Sequence, residues 1–341
     1  MAKYLVFTDM HLHEFSEFSQ PDAEYGNSRL RQQIEALREM LDVARREGRI
    51  VLFLGDLFHQ RGTVKTTVFN WGFKTIANYP DVPIYLLEGN HDNINNSIRS
   101  ASSLEPFASL PNVTLVETYQ RLEIGEDAFT VLSYGEEFEE LKTFMAEDEA
   151  PMFLGHLGVE GAIGAGKSKL DGHFTVGDFD KYELALLGHY HKRQELAHNV
   201  FYVGNPIGQN FADTDEHKGY MTFETKAGHY VEGSLGFIPL DYPMFMTMDM
   251  NNLPNNAEAL MESNFIRLRG EASEIKKVQS LSDDIANNIR MEATFSPTED
   301  ETRINISADA GAVGATQAWA HEFQPDNADL LVAQIKRALD N

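Results

Sequence analysis

Histidine, aspartate and asparagine residues recur in short groups through the first 210 residues, and each group directly follows a run of apolar residues. The groups are Asp9 and His11 in TDMHLH, Asp56 and His59 in FLGDLFH, Asn90, His91 and Asp92 in LLEGNHD, His156 in FLGHLG, and His189 and His191 in LLGHYH. Such side chains are ligands that suit divalent ions such as manganese or zinc. One histidine at a strand end is usually a hydrogen-bonded core residue, but five groups in succession predict a metal site.

The apolar runs before these groups have the composition of buried strands. We predict strands at residues 3–8, 50–54 and 83–88, with helices over 29–47 and about 64–78 between them. Strands that alternate with helices form parallel sheets covered on both faces, and ligands bind beyond the carboxyl ends of such strands. Glycines allow a close backbone approach to a ligand, and they precede four of the groups at Gly55, Gly89, Gly155 and Gly188.

The later pattern predicts a second sheet and then a smaller unit. Three short apolar segments after residue 112, VTLVE, RLEI and AFTVLS, favour an antiparallel meander, and five further strands follow, the last being HYVEGSLGF. The resulting fold class is a two-sheet α/β sandwich over residues 1–240. Residues 241–341 are predicted to form a small α+β domain with a helix over about 272–288 and a terminal helix in NADLLVAQIKRALDN.

Composition limits the classes of function. The chain has 341 residues, 42% of them hydrophobic and 24% charged, which is typical of a soluble globular protein of two domains. It has no cysteine, so thiolate metal sites and disulfides are excluded. No apolar run is long enough to span a membrane, and we expect a cytoplasmic location. The net charge of −25 counts against unaided binding to nucleic acid, because phosphate binding needs cations.

The order D-x-H, GD, GNHD, H and GHxH over residues 1–240 resembles that of the calcineurin-like metallophosphoesterases. The resemblance implies two divalent metal ions. It implies that the first is held by Asp9, His11, Asp56 and His191, and the second by Asp56, Asn90, His156 and His189, so that Asp56 bridges them. It also implies that His91 contacts the phosphate and assists the leaving group, and that Asp92 orients His91 through a hydrogen bond.

The segment GDLFH is similar to that of the nuclease branch of the family, the SbcD and Mre-eleven type. This similarity implies that His59 helps to position the scissile phosphodiester. The segment FYVGNP also resembles that branch, with Asn205 where serine is usual, and the short layout resembles phage recombination endonuclease subunits. This implies a DNA exonuclease or endonuclease for recombination and repair, with manganese or alternatively magnesium. It further implies a homodimer, an SMC-like ATPase partner of the SbcC or Rad-fifty type, and a C-terminal capping region. A phage protein would act in the host cytoplasm.

Other functions stay open. The phosphoprotein phosphatase branch has Asp-Arg-Gly after GD and GNHE in place of GNHD, and here His59 and Asp92 depart from that pattern. A metallophosphatase or phosphodiesterase with a non-DNA substrate remains the alternative, and a non-catalytic acidic scaffold is a third hypothesis. The segment GAIGAGKS at 161–168 fits a P-loop pattern without the helix that should follow. We expect it instead to be a glycine-rich loop that brings Lys167 and Lys169 near substrate phosphates, with an exposed mobile loop that makes no such contact as the alternative.

Overall fold

The apolar runs of the sequence form the central strands of two sheets that pack face to face. The computed structural model describes residues 1–164, 172–213, 217–273, 275, 287–294, 311–323 and 328–339. The chain divides into two units, one of Met1–Gly270 with Val278–Glu292 and one of Glu271–Lys277 with Ala293–Asn341. Lys167, Lys169 and most of the expected helix over 272–288 lie outside the described residues.

The described strands are β1 (Ala2–Phe7), β2 (Pro21–Asp22), β3 (Gly26–Asn27), β4 (Ile50–Phe53), β5 (Ile84–Leu87), β6 (Val113–Val116), β7 (Tyr119–Ile124), β8 (Asp127–Leu132), β9 (Met152–His156), β10 (Leu184–Gly188), β11 (Gln194–Ala197), β12 (Val200–Tyr202), β13 (Gly219–Lys226), β14 (His229–Tyr230), β15 (Gly236–Pro239), β16 (Phe245–Asp249), β17 (Phe265–Glu271) and β18 (Ile289–Thr294). The described helices are α1 (Ser28–Glu47), α2 (Thr66–Ala77), α3 (Phe138–Glu147), α4 (Ala257–Ser263), α5 (Gly311–Phe323) and α6 (Ala328–Leu339), with 3₁₀ turns at Glu105–Ser109 and Val176–Phe179. None of these helices is long and apolar enough to cross a membrane.

Two sheets form the body of the first unit. One has the strand order β14-β13-β1-β4-β5-β6, with β15 on β13, and the other has the order β11-β12-β10-β9-β8-β7. The strands β1, β4, β5 and β6 run parallel, as do β8, β9, β10 and β12. The predicted two-sheet α/β sandwich is therefore confirmed. A third sheet has the order β16-β17-β18, and α5 and α6 belong to the second unit.

Alternating side chains of β1 connect the layers. Leu5 and Phe7 are buried in the apolar cluster that includes the inner face of α1, whereas Tyr4 and Val6 are buried in the cluster shared by the two sheets. This period of two is what a strand covered on both faces requires. Burial on both faces fixes the position of the strand end, where the first chemical group begins.

Two details of the predicted strands are wrong. The segment VTLVE is not part of an antiparallel meander, because β6 pairs in parallel with β5 at the edge of the first sheet. Only β7 and β8 form the expected antiparallel pair. The segment HYVEGSLGF is not one strand but two, β14 and β15, because Gly233 takes a φ of +79° in the turn between them, a conformation that glycine adopts at little cost. The helix α5 was not predicted from the sequence.

The helix α1 begins with a side-chain cap that also holds a loop of the site. The Asn27 side chain accepts a hydrogen bond from the Leu30 amide at 2.9 Å and donates one to the Phe15 carbonyl at 2.8 Å.

We expect Asn27→Ala to lower the free energy of unfolding by about 1–2 kcal/mol, because an amide of the first turn loses its acceptor. Urea denaturation with a chelator present measures this. The control is Asn70→Ala, which changes an exposed residue of α2, and an equal effect of both substitutions would contradict the capping role.

Candidate metal centre

All the predicted metal ligands lie together at one edge of the sandwich. They lie at or just after the carboxyl ends of β1, β4 and β5 in the first sheet and of β9 and β10 in the second. Because these strands are parallel within each sheet, their ends meet at the same edge. The structure thus brings together side chains from positions 9 to 191 of the chain.

The first half of the centre consists of Asp9, His11, His191 and Asp56. The Nε2 atoms of His11 and His191 lie 3.1 Å apart. The His11 Nε2 lies 3.8 Å from Asp9 Oδ1 and 3.5 Å from Asp56 Oδ2, and the His191 Nε2 lies 4.0 Å from Asp9 Oδ1. We refer to this group as the first half-site.

The second half-site consists of Asn90, His156, His189 and again Asp56. The Asn90 Oδ1 lies 3.1 Å from His156 Nε2 and 2.9 Å from His189 Nδ1. The His156 Nε2 lies 3.4 Å from Asp56 Oδ2. One oxygen of Asp56 therefore faces a histidine of each half-site, which is the arrangement that a shared carboxylate ligand needs.

The donors fit divalent cations. The two carboxylates of Asp9 and Asp56 are buried, at 0% and 2% exposure, and buried like charges need positive charge beside them. Asp9 Oδ1 and His11 Nδ1 are buried without a hydrogen-bond partner among the described residues. Ligand atoms of Asp9, His11 and His191, and separately those of Asp9, Asp56 and His156, lie within 4.8 Å of one another. Nitrogen and carboxylate donors of this kind suit manganese, iron or zinc.

Burial and the carboxylates set the charges of the histidines. Burial lowers the pKa of His189 to about 4, so its ring is neutral near pH 7 and offers a lone pair. Burial also opposes protonation of His156, but the Asp56 carboxylate outweighs it and raises the pKa of His156 to about 9. At Asp56 burial raises the pKa, yet its histidine neighbours bring the net pKa well below the usual range. Asp56 therefore attracts positive charge to the position that the two half-sites share.

The backbone of the ligands is strained. Four of them have positive φ values, namely 53° at Asp9, 45° at His11, 61° at Asp56 and 96° at His189. Residues other than glycine rarely adopt this region, and each such residue costs on the order of 1–3 kcal/mol. Backbone bonds from Asp9 N to Gly55 O at 2.9 Å and from His11 N to Asp56 O at 3.0 Å hold the strained segments. Strain concentrated at one cluster is typical of a functional site.

Several polar contacts orient the ligands from behind. The His156 Nδ1 lies 2.6 Å from the Leu54 carbonyl, so it donates there, and Nε2 is the ring nitrogen that would bind a cation in place of a proton. The His191 Nδ1 lies 3.2 Å from Asp213 Oδ1. The sequence reasoning missed Asp213, because it lies 22 residues after His191 and no local spacing marks the pair.

The two histidines predicted to be catalytic lie beside the first half-site. The rings of His59 and His91 stack with centroids 5.6 Å apart and an interplanar angle of 18°. The His91 Nδ1 donates to the His59 carbonyl at 2.6 Å, which leaves Nε2 for proton transfer. Burial lowers the pKa of His59 to about 4, so this ring is uncharged near pH 7.

The expected hydrogen bond from Asp92 to His91 is wrong. The Asp92 oxygens instead accept four backbone N–H groups, those of Asp56 at 2.8 Å, Leu57 at 3.0 Å, Phe58 at 3.2 Å and Gly89 at 3.0 Å. The loop after β4 leaves the sheet, so its N–H groups need acceptors, and Asp92 is the buried residue that supplies them. Asp92 therefore positions Asp56 and does not orient His91.

Close backbone contact between the loops after β4 and β5 depends on glycine. A Cβ on Gly89 would lie 2.1 Å from Asp56 Oδ1 and 2.4 Å from Asp56 N. A Cβ on Gly55 would lie 2.5 Å from His156 Nδ1, and Gly55 has a φ of +98°. Both positions therefore exclude larger residues.

We expect Gly89→Ala to weaken Mn²⁺ binding at both half-sites by about 10–100-fold, as is usual when the support of a ligand is displaced. The added methyl group must displace Asp56, which the half-sites share. Isothermal titration with Mn²⁺ measures the change. The control is Gly177→Ala, where a Cβ would meet only Thr175 Oγ1 at 3.8 Å. Unchanged Mn²⁺ affinity of Gly89→Ala would show that Asp56 is not held as described.

The sequence model of the calcineurin-like phosphoesterase family matches residues 2–193 of this chain, which is more than half of its length. The chain therefore belongs to the calcineurin-like phosphoesterase family, a class of metal-dependent phosphoester hydrolases. The matched range contains every predicted metal ligand.

The individual proteins to which this chain is similar share only a low sequence identity with it. The chain is similar to exonuclease subunit 1 of Enterobacteria phage T4, with 24% identity over 206 residues, and the match covers 57% of this chain and 58% of the phage protein. Similar solved structures include a dimetal phosphatase from Danio rerio, with a TM-score of 0.41, 11% identity and coverage of 70% of this chain and 98% of that one. An archaeal phosphodiesterase has a TM-score of 0.36, 12% identity and coverage of 69% and 99%.

Proposed function

We propose that the protein is a metal-dependent DNA nuclease, with exonuclease or endonuclease activity on DNA ends in recombination and repair. The observation that carries the proposal is the His59–His91 stack, which lies next to two half-sites that share Asp56. The His11 ring lies 4.6 Å from His91 and 5.4 Å from His59, between centroids. The name of the phage T4 relative, an exonuclease subunit, supports the choice of a nuclease.

In this proposal each half-site holds one divalent ion. Asp9, His11, Asp56 and His191 are the ligands of the first, and Asp56, Asn90, His156 and His189 are those of the second. Manganese is the proposed metal and magnesium the alternative. When bound, two such ions neutralise the charge of a phosphodiester and lower the pKa of an attacking water.

The residues of the chain contribute positioning and proton transfer. Asn90 adds a ligand oxygen without a further negative charge, which limits repulsion of a phosphate. The His59 carbonyl holds the Nδ1 proton of His91, and we assign His91 Nε2 the transfer of a proton to the leaving oxygen. The uncharged ring of His59 fixes the plane of His91 and positions the scissile phosphodiester.

The acidic charge of the chain implies that DNA is held by more than this chain alone. A net charge of −25 opposes the approach of a polyanion. The proposal therefore includes an SMC-like ATPase partner of the SbcC or Rad-fifty type that supplies cationic surface, and a homodimer. It assigns residues 241–341 to capping of the DNA and docking of the partner, in the cytoplasm. The same charge favours the second candidate, a phosphatase or phosphodiesterase that acts on a small non-DNA substrate.

The test is incubation of the purified full chain with Mn²⁺ and end-labelled linear duplex DNA, with a small bis-aryl phosphodiester assayed in parallel. We expect loss of nucleotides from the DNA, abolished by a chelator. We expect His91→Ala to lower the rate by about 10²–10⁴-fold, the usual share of an acid–base catalyst, while Mn²⁺ binding is kept. Asp56→Ala should abolish both cleavage and binding of two ions, because it removes the shared ligand.

The matched control is His198→Ala, since His198 is an exposed histidine outside the centre. Cleavage of the small diester without cleavage of DNA, even when an SMC-like ATPase is added, would replace the nuclease by the small-substrate enzyme. Full activity of Asp56→Ala on both substrates would contradict a metal-dependent mechanism at this site.

A further inference from the structure

A buried arginine, Arg29, lies near the first half-site. Arg29, in the first turn of α1, has 2% of its surface exposed. Its guanidinium donates to three backbone carbonyls, those of Glu17 at 3.2 Å, Gly208 at 3.3 Å and Gln209 at 3.1 Å. Among the described residues it forms no ion pair. A buried charge is costly unless it is paired or hydrogen-bonded, so the three carbonyl contacts of Arg29 are important for its stability.

Aromatic rings surround this guanidinium. Phe15, Phe245 and Phe265 lie with their ring centroids 5.2, 4.9 and 4.8 Å from the Arg29 Cζ, and we call these three residues the aromatic clamp. Desolvated contacts of arginine with ring faces are favourable. Phe245 and Phe265 belong to β16 and β17. The third sheet, of β16, β17 and β18, which we call the C-terminal sheet, therefore supplies two of the three rings. Phe18 stacks on Phe265 with centroids 5.3 Å apart and extends the contact to the loop after β1.

The segment that Arg29 holds leads directly to the first half-site. The Gln209 side chain donates to the Asp9 carbonyl at 2.9 Å. The Gln209 amide donates to Asp213 Oδ2 at 3.0 Å, and Asp213 Oδ1 lies 3.2 Å from His191 Nδ1. Segment 208–213 therefore contacts two residues that belong to the first half-site alone.

The second half-site has different supports. His156 is held by the Leu54 carbonyl, and His156 and His189 both contact the Asn90 amide oxygen. None of these contacts involves segment 208–213. One contact joins the half-sites, because the His189 backbone N–H donates to Asp9 Oδ2 at 3.1 Å. Loss of the Arg29 contacts should therefore move Asp9 and His191 most, His189 less, and leave Asn90 and His156 in place.

We infer that Arg29 is a positioning residue that sets the affinity of the first half-site for its cation through segment 208–213. The aromatic clamp makes this affinity dependent on β16 and β17. A ligand or partner that shifts the C-terminal sheet would thereby change the occupancy of the first cation more than that of the second. The inference concerns the regulation of the same centre and rests on the proposed two-cation function.

The experiment is a Mn²⁺ titration of the full chain by calorimetry, with the spin-coupled manganese pair followed by electron paramagnetic resonance. The variants are Arg29→Met and Phe265→Leu. Arg45→Met controls for the loss of an arginine from α1, because Arg45 is exposed and pairs with Asp81. Phe179→Leu controls for a buried phenylalanine, since Phe179 packs on Phe153 and Tyr182. His191→Ala and His189→Ala give reference isotherms for damage to the first and second half-sites.

We expect Arg29→Met to weaken one Mn²⁺ by at least about tenfold, to lose the spin-coupled signal, and to match the isotherm of His191→Ala. Phe265→Leu should act in the same direction more weakly, and both controls should behave as wild type. Thermal melting with a chelator separates an effect on overall stability, because a merely structural role lowers the melting temperature without selecting one ion.

The inference would be overturned if Arg29→Met weakened the binding of both Mn²⁺ ions equally, or if it bound both with wild-type affinity. Either result would leave the two-cation centre intact. Binding of fewer than two Mn²⁺ ions by the wild type would overturn the two-cation proposal itself and, with it, the role of Arg29.

Discussion

The architecture of the site depends on the buried carboxylate of Asp56. Its Oδ2 atom lies within 3.5 Å of a histidine from each half-site, one from the first sheet and one from the second. A lone carboxylate at this depth would be strongly destabilised, so it requires partners from both sheets. Those partners include the backbone, because His91 N donates to Asp56 Oδ1 at 2.7 Å. The contacts of Asp56 therefore form the candidate metal centre and also join the two sheets at this edge of the sandwich.

The buried strands of the core stabilise the strained backbone of the candidate metal centre. Positive φ values at Asp9, His11, Asp56 and His189 are each unfavourable. The strands that precede these residues are buried on both faces, and their registers are fixed by pairing within each sheet. Rigid strands therefore hold strained loops, which keeps the donors in place before any cation binds.

The two half-sites share Asp56 and are joined by the bond from His189 N to Asp9 Oδ2, but their remaining supports differ, and this gives the centre an asymmetry. The second half-site is held by the Leu54 carbonyl just after β4 and by Asn90 in the loop after β5. The first half-site relies in addition on segment 208–213 and on Arg29, whose environment includes two phenylalanines of the C-terminal sheet. The first half-site is therefore the one that a change at the C-terminal sheet reaches in our inference.

The sequence by itself determined the positions of the strands before the ligand groups and the limits of α1, because apolar runs, helical periodicity and the glycine after the helix are local signals. It also determined which histidine, aspartate and asparagine residues meet at the candidate metal centre, since each group directly follows its strand. Tertiary structure alone decided that β6 joins the first sheet, that Asp92 holds the loop of Asp56, and that Asp213 and Arg29 support the first half-site. Arg29 and Gln209 are 180 residues apart, and contacts at such separations arise from sheet pairing and burial, for which no local spacing of residues carries a signal.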